Sequence, residues 1–318
     1  MVHPCRSGTF DEQRFWTIRA APSTLVPTMA AQTKRSSELQ NLVENTVDLP
    51  VVPMVASRVI DEVANHKSTA DSLSKIIGQD QALLGRILRI ANSPFYRGRI
   101  PTSTLQAAIV RLGPALVRDL VISLSTQSLF KEFDSFEQQM WNHSLAAAFG
   151  AQLVAAEAHV ANPDEAFVAG LLHDVGKTIL VNHNPGYSEL LLEANANNRP
   201  HHEVEREAYG FDHADVGGVL MGKWQLADTL VESVRYHHRL DELEEAPQST
   251  RALICVIAVA DSLAYKLGLS IGEMDRPLEA ETHVGCKILG LNQEQIETLS
   301  EKLKETYDAN YELMGGAG

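Results

Sequence analysis

The sequence predicts an all-α protein, and three observations carry that prediction. Apolar residues recur at three- and four-residue intervals from residue 37 onward, the period of helices that bury one face. Two-residue alternation, the mark of a half-buried strand, is nearly absent. Prolines, glycines and capping residues fall between the periodic segments.

The elements follow in chain order. Residues 1–35 contain Pro4, Pro22 and Pro27, develop no period and read as a disordered leader; Met29 is a second candidate start. A first helical lobe is expected over 36–134. Leu39, Leu42, Val43 and Val47 give a short amphipathic set, and Val55, Val59, Ile60 and Val63 give the next helix. Thr69 opens a segment carrying Leu73, Ile76 and Ile77 and closed by Gly78. Leu83, Leu84, Ile87, Leu88 and Ala91 form another, which Asn92-Ser93-Pro94 ends because proline forbids continuation. Helices at 104–112 and 114–130 complete the lobe, the second with Pro114 in its first turn.

Asp134 to Gln139 reads as the soft, polar stretch between lobes. A second helical lobe is expected over 135–270, with helices near 137–160, 163–182, 186–197, 200–209, 213–223, 227–238 and 249–268. Asn162-Pro163-Asp164-Glu165 is a strong helix start: a capping residue, proline at the first position and acids in the first turn. Residues 271–318 read as a C-terminal extension with a helix at 293–311 and a frayed Gly315–Gly318 tail.

Composition narrows the function. The chain has 318 residues, 44% of them hydrophobic and 21% charged, with a net charge of −14. Residues 1–35 hold five basic and two acidic side chains, a net +3, which leaves −17 for the remainder. An acidic body argues against duplex binding, which needs a basic face to neutralise phosphates. Arg97 and Arg99 beside Phe95 and Tyr96 form the one basic–aromatic cluster, and two arginines on a loop read as solvated. The apolar run 252–260 is far too short for a membrane span, and the N-terminus lacks a signal-type apolar stretch. Cys5, Cys255 and Cys286 form no CxxC pair or disulfide framework, so a cytoplasmic location is expected. Neither GxGxxG nor a P-loop motif occurs.

One segment departs from generic packing. The helix from 163 runs Phe167-Val-Ala-Gly-Leu-Leu-His173-Asp174-Val-Gly-Lys177-Thr-Ile-Leu-Val181, a His-Asp pair inside a nearly continuous apolar stretch. A buried carboxylate without a partner costs several kcal/mol, so Asp174 must meet a cation, a set of hydrogen-bond donors or a metal. A buried Asp–His or Asp–Lys pair tying helices together would satisfy it too. Other candidates accompany the pair: His143 before an apolar face, Asp261 at the end of the run 252–260, His213 at a helix start and His237-His238 at a helix end. The set comprises seven imidazole and carboxylate groups on five expected helices. Such donors suit Fe, Mn, Zn or Ni, and the lack of nearby cysteine disfavours structural zinc. A divalent ion there would serve phosphoryl hydrolysis.

The order His…His-Asp…Asp resembles the HD phosphohydrolase superfamily over about residues 137–268. The resemblance implies that His143, His173, Asp174 and Asp261 are core metal ligands. It implies that His213, His237 and His238 are the extra ligands of binuclear members such as the HD-GYP branch, which hydrolyses cyclic di-GMP. It further implies that Lys177 contacts phosphate. The sequence after His238, Arg-Leu-Asp-Glu-Leu-Glu-Glu-Ala-Pro247, lacks the Gly-Tyr-Pro loop of that branch, and its acids, expected on a solvated loop at 241–245, oppose an incoming nucleotide. Gln139 stands where a trinuclear member has glutamate.

The first lobe is similar to the HDOD domain. Its motifs are Asp80-x-x-Leu83…Asn92-Ser93 and Ala108-Ile109…Leu112-Gly113, and the later stretch Glu207…Gly210-Phe-Asp-His213…Gly217…Trp224 also fits. That resemblance, over about 39–268, implies a two-lobed helical bundle with the HDOD lobe packed on an HD-type lobe. It also implies a bacterial signal-transduction protein acting through protein partners, with a mono- or binuclear divalent metal site retained. A metal-dependent phosphohydrolase acting on a nucleotide or other phosphoester, with Asp174 and Lys177 as its catalytic pair, is the alternative. A purely structural, metal-free HD core is the third reading.

Overall fold

A computed structural model of the chain describes residues 39, 54–64, 69–93, 96, 101–127, 129–130, 134–271, 278–279 and 283–314. The leader at 1–35, Met29, the Phe95/Arg97/Arg99 cluster and the Gly315–Gly318 tail lie outside those residues. Among the described residues the regular structure is entirely helical, as the periodicity predicts. Of the described residues, those in 50–131 and 309–314 form one compact unit and those in 132–308, with residue 39, form the other.

The smaller unit holds α1 (Met54–Ala64), α2 (Ala70–Ile77), α3 (Gln81–Ala91), α4 (Leu105–Leu112) and α5 (Pro114–Gln127). Each sharp start has a visible cause. Thr69 and Ser72 form a reciprocal capping box on α2, and Asp80 accepts from the Ala82 and Leu83 amides at the head of α3. Val59, Leu73, Ile77, Ile87, Ile109 and Val121 close over one another as a common core. The Asn-Ser motif has a packing role. Asn92 donates to the carbonyls of Leu88 and Thr102 at 2.9 and 2.8 Å and accepts from the Thr102 amide at 2.7 Å. One side chain thus ends α3 and pins the approach to α4.

The larger unit holds α6 (Ser135–Ala158), α7 (Pro163–Leu172), α8 (Val175–His183), α9 (Tyr187–Ala196), α10 (His201–Tyr209), α11 (His213–Lys223), α12 (Asp228–Tyr236), α13 (Arg251–Lys266), α14 (Val284–Leu289) and α15 (Gln293–Asn310). Helix α6 is its central post, packed on α7 and α13. Small residues allow the close approach: a Cβ on Gly170 would sit 2.6 Å from the Ala147 carbonyl oxygen, and one on Gly150 would sit 3.3 Å from the Ala260 Cβ. No described helix is long and apolar enough to cross a membrane.

Three expectations are corrected here. The stretch Asp134–Gln139 is no linker: Asp134 caps α6 through the Phe136 and Glu137 amides, and the polar residues after it form the first turn. The segment 163–182 is two helices, because the chain turns at His173-Asp174, with Asp174 at φ −99° and ψ 9°. Helix α8 then lies so close to α11 that a Cβ on Gly176 would come 2.0 Å from the His213 carbonyl oxygen. Within 241–245 the acids are exposed as expected, but Leu243 is fully buried and a 3₁₀ turn at Leu240–Glu242 ties the segment down.

Candidate metal centre

The seven predicted donors meet inside the larger unit in two adjoining groups. One is His143, His173 and Asp261; the other is Asp174, His213, His237 and His238. His143 projects from α6 and Asp261 from α13. His173 and Asp174 occupy the turn between α7 and α8, His213 opens α11, and His237-His238 follow the end of α12. All but His238, which is partly exposed, are buried. Gln139 lies one helical turn before His143.

The hydrogen bonds fix which ring nitrogen faces the centre. Nδ1 of His143 lies 2.8 Å from the Leu269 carbonyl oxygen, Nδ1 of His173 2.7 Å from that of Gly170, and Nδ1 of His237 2.6 Å from that of Val234. A carbonyl only accepts, so each Nδ1 carries a proton, and each ring turns its Nε2 inward. Those three Nε2 atoms are buried without a hydrogen-bond partner, as is Oδ1 of Asp174. They face other lone pairs: His143 Nε2 is 3.0 Å from Asp261 Oδ1, and the Nε2 atoms of His143 and His173 are 3.5 and 3.4 Å from Asp174 Oδ2. On the far side, His213 Nε2 is 3.0 Å from Asp174 Oδ1 and 3.1 Å from His238 Nε2. Such separations match the edges spanned by ligands about 2.1 Å from a shared ion. The two carboxylate oxygens of Asp174 are divided between the two groups.

Electrostatics point the same way. Burial opposes the charged forms of Lys177, His173 and His213, but the buried carboxylates of Asp174, Asp261 and Glu205 favour them. Buried charge of that kind needs a compensating cation. Burial works against the Asp174 anion, yet His173, Lys177 and His213 hold it well below the usual carboxylate range. Burial also opposes the charged form of His213, but the Glu205 and Asp174 carboxylates lift it to about 9. Burial, then the fields of His173 and His213, push His237 down to about 3. One imidazole is thus held ready to carry charge while its neighbour stays a neutral donor.

Lys177 is buried, donating to Asp174 Oδ2 at 2.6 Å, with Nζ 3.4 Å from His201 Nδ1. The centre opens through His237, His238 and Asp261 onto a cleft of about 510 Å³, which also meets Asn198, Asp241 and His283; among the described residues its lining holds no lysine or arginine.

Sequence reasoning missed the residues behind the donors. Glu205 is fully buried; its Oε2 lies 2.6 Å from His213 Nδ1 and accepts from the His213 amide at 2.8 Å. Tyr187 donates to the other Glu205 oxygen at 2.7 Å; burial and that carboxylate keep the phenol protonated. His201 Nε2 lies 2.7 Å from Asn195 Oδ1, and the His202 ring stacks on His238 at 4.3 Å. The adjacent His201-His202 pair was the one signal available in the sequence.

An all-helical unit with a His-Asp pair at a helix break, converging with histidines from neighbouring helices, defines an HD-type protein. The HDOD domain model matches residues 49–240, and the chain belongs to the HDOD family. That match includes every donor except Asp261. Among curated proteins, the chain is 24% identical over 232 residues to an uncharacterized protein of Treponema pallidum, covering 72% of this chain and 45% of that one. It is 29% identical over 162 residues to ribonuclease Y of Geobacter sulfurreducens, covering 50% of this chain and 25% of that protein. The chain therefore spans less than half the length of these relatives. Among solved structures, an HDOD domain protein of unknown function from Geobacter sulfurreducens superposes with a TM-score of 0.70 at 23% identity, covering 89% of this chain and 97% of that one. A Shewanella amazonensis protein provisionally named a phosphohydrolase superposes with a TM-score of 0.66 at 25% identity, covering 88% and 97%.

Proposed function

We propose that this chain is a cytoplasmic signal-transduction protein that acts through protein partners and holds one or two divalent ions, Fe, Mn, Zn or Ni, in the larger unit. The observation that carries the metal reading is the buried confrontation of unpartnered Nε2 and carboxylate lone pairs, at separations that ligands of one ion adopt. His143, His173 and Asp261 would hold one ion and His213, His237 and His238 a second, with Asp174 reaching both. The regulatory reading draws on the cleft, where among the described lining residues an anionic substrate would meet Asp241 and no lysine or arginine. Lys177, the one cation near the donors with a proposed part in catalysis, is engaged by Asp174.

A second reading, a metal-dependent phosphohydrolase, is favoured by the opening of the centre onto that cleft and by similarity to ribonuclease Y. A bound divalent ion would supply Lewis-acid chemistry to a phosphoester there. In this reading Asp174 holds the ion and Lys177 steadies the phosphoryl oxygens.

Two substitutions separate the readings. Asp174→Ala should lose metal under both. The regulatory reading expects no phosphodiester turnover by the metal-loaded wild type, and a cellular phenotype that survives Lys177→Ala. Hydrolysis of cyclic di-GMP or of bis-p-nitrophenyl phosphate by the wild type, abolished by Lys177→Ala with metal still bound, would establish the enzyme instead.

A further inference from the structure

The four buried histidines are not supported alike. His143, His173 and His237 each give their Nδ1 proton to a neutral main-chain carbonyl. His213 alone faces a buried carboxylate there, and the same Glu205 oxygen also takes the His213 amide, so ring and backbone are clamped at one point. Tyr187 fixes the other Glu205 oxygen, so the carboxylate cannot rotate away. We propose that Glu205 is a positioning residue that makes His213 the strongest imidazole donor of the centre, and thereby sets the affinity of the ion held by Asp174, His213, His237 and His238.

This deepens the metal reading and rests on it. A carboxylate on Nδ1–H pushes electron density toward Nε2 more strongly than a carbonyl does, and it fixes the ring plane. The effect is local to His213, so the group formed by His143, His173 and Asp261 gains nothing from it. The support also comes from α9 and α10, helices that contribute none of the seven donors.

A merely structural role, pinning the first turn of α11, makes a different prediction. The amide oxygen of Glu205→Gln still accepts both His213 hydrogens, so a pin would survive while the charge is lost. The test titrates metal-free wild type, Glu205→Gln, Tyr187→Phe and His213→Ala with Co²⁺, followed by calorimetry and visible absorption. His213→Ala marks the binding component that belongs to His213. Glu205→Gln should weaken that component by roughly 10–100-fold and shift its visible band, leaving the other component unchanged. Tyr187→Phe should weaken the same component by less, and it carries the test if Glu205→Gln does not fold. Unchanged affinity of the His213 component in Glu205→Gln, or equal weakening of both components, overturns the proposal. Wild type that binds no Co²⁺ overturns the metal reading beneath it.

Discussion

At the scale of single residues, the centre is a problem of unshared lone pairs. A neutral histidine whose Nδ1–H is committed to a carbonyl cannot donate from Nε2, and a carboxylate cannot donate at all. Their approach to 3.0–3.5 Å is satisfied by a proton or a metal ion between them. Lys177 answers part of that demand through Asp174 Oδ2. Removing the ammonium should make the protein depend more on metal. Lys177→Met is expected to destabilise the metal-free form by roughly 3–5 kcal/mol, the cost of orphaning a buried charge, and the loaded form by clearly less. Denaturant melts of both forms measure the difference, and equal losses would show that Lys177 and the ion do not share the Asp174 charge. The seven residues that cluster were legible in the sequence because a histidine or aspartate at an apolar position is conspicuous. Glu205 was not, because α10 reads His-His-Glu-Val-Glu-Arg-Glu, and a glutamate among glutamates looks like a solvated face.

At the scale of elements, several helix starts were readable from the side chain that supplies the cap, though the Asp134 cap of α6 was not. Asn162 before Pro163 and Asp212 before His213 both accept from amides of the first turn, as their types predict. The break at His173-Asp174 was not readable, since apolar residues continue on both sides and periodicity cannot register a turn lined by core. The short α14 was missed for a similar reason, since six residues are too few to show a period. The break matters because it lets α8 run against the head of α11 at Gly176. Gly176→Ala should cost about 1–3 kcal/mol or more through overpacking and displace His213, lowering metal affinity as well. Gly222→Ala, on α11 with open space around it, should instead gain roughly 0.5–1 kcal/mol and leave metal binding alone. Thermal melts with and without metal check both, and a Gly176→Ala protein that binds metal as tightly as wild type would contradict the proposed role of that contact.

At the scale of the whole molecule, the account links metal to folding. The donors come from segments as far apart in sequence as His143 and Asp261, so the folded chain assembles the centre and the unfolded chain does not. Stability should rise with the logarithm of free metal, by about 2.7 kcal/mol at 100-fold over Kd. The all-helical class, most helix caps and the seven residues that cluster were visible in the sequence; the inequivalence of the histidines became visible only with the tertiary contacts. The central claim is that these seven groups hold a divalent ion, and elemental analysis of purified, dialysed protein tests it most directly. The account predicts at least one equivalent of Fe, Mn, Zn or Ni in the wild type and none in folded Asp174→Ala. A folded wild type that stays metal-free after exposure to all four ions would contradict it.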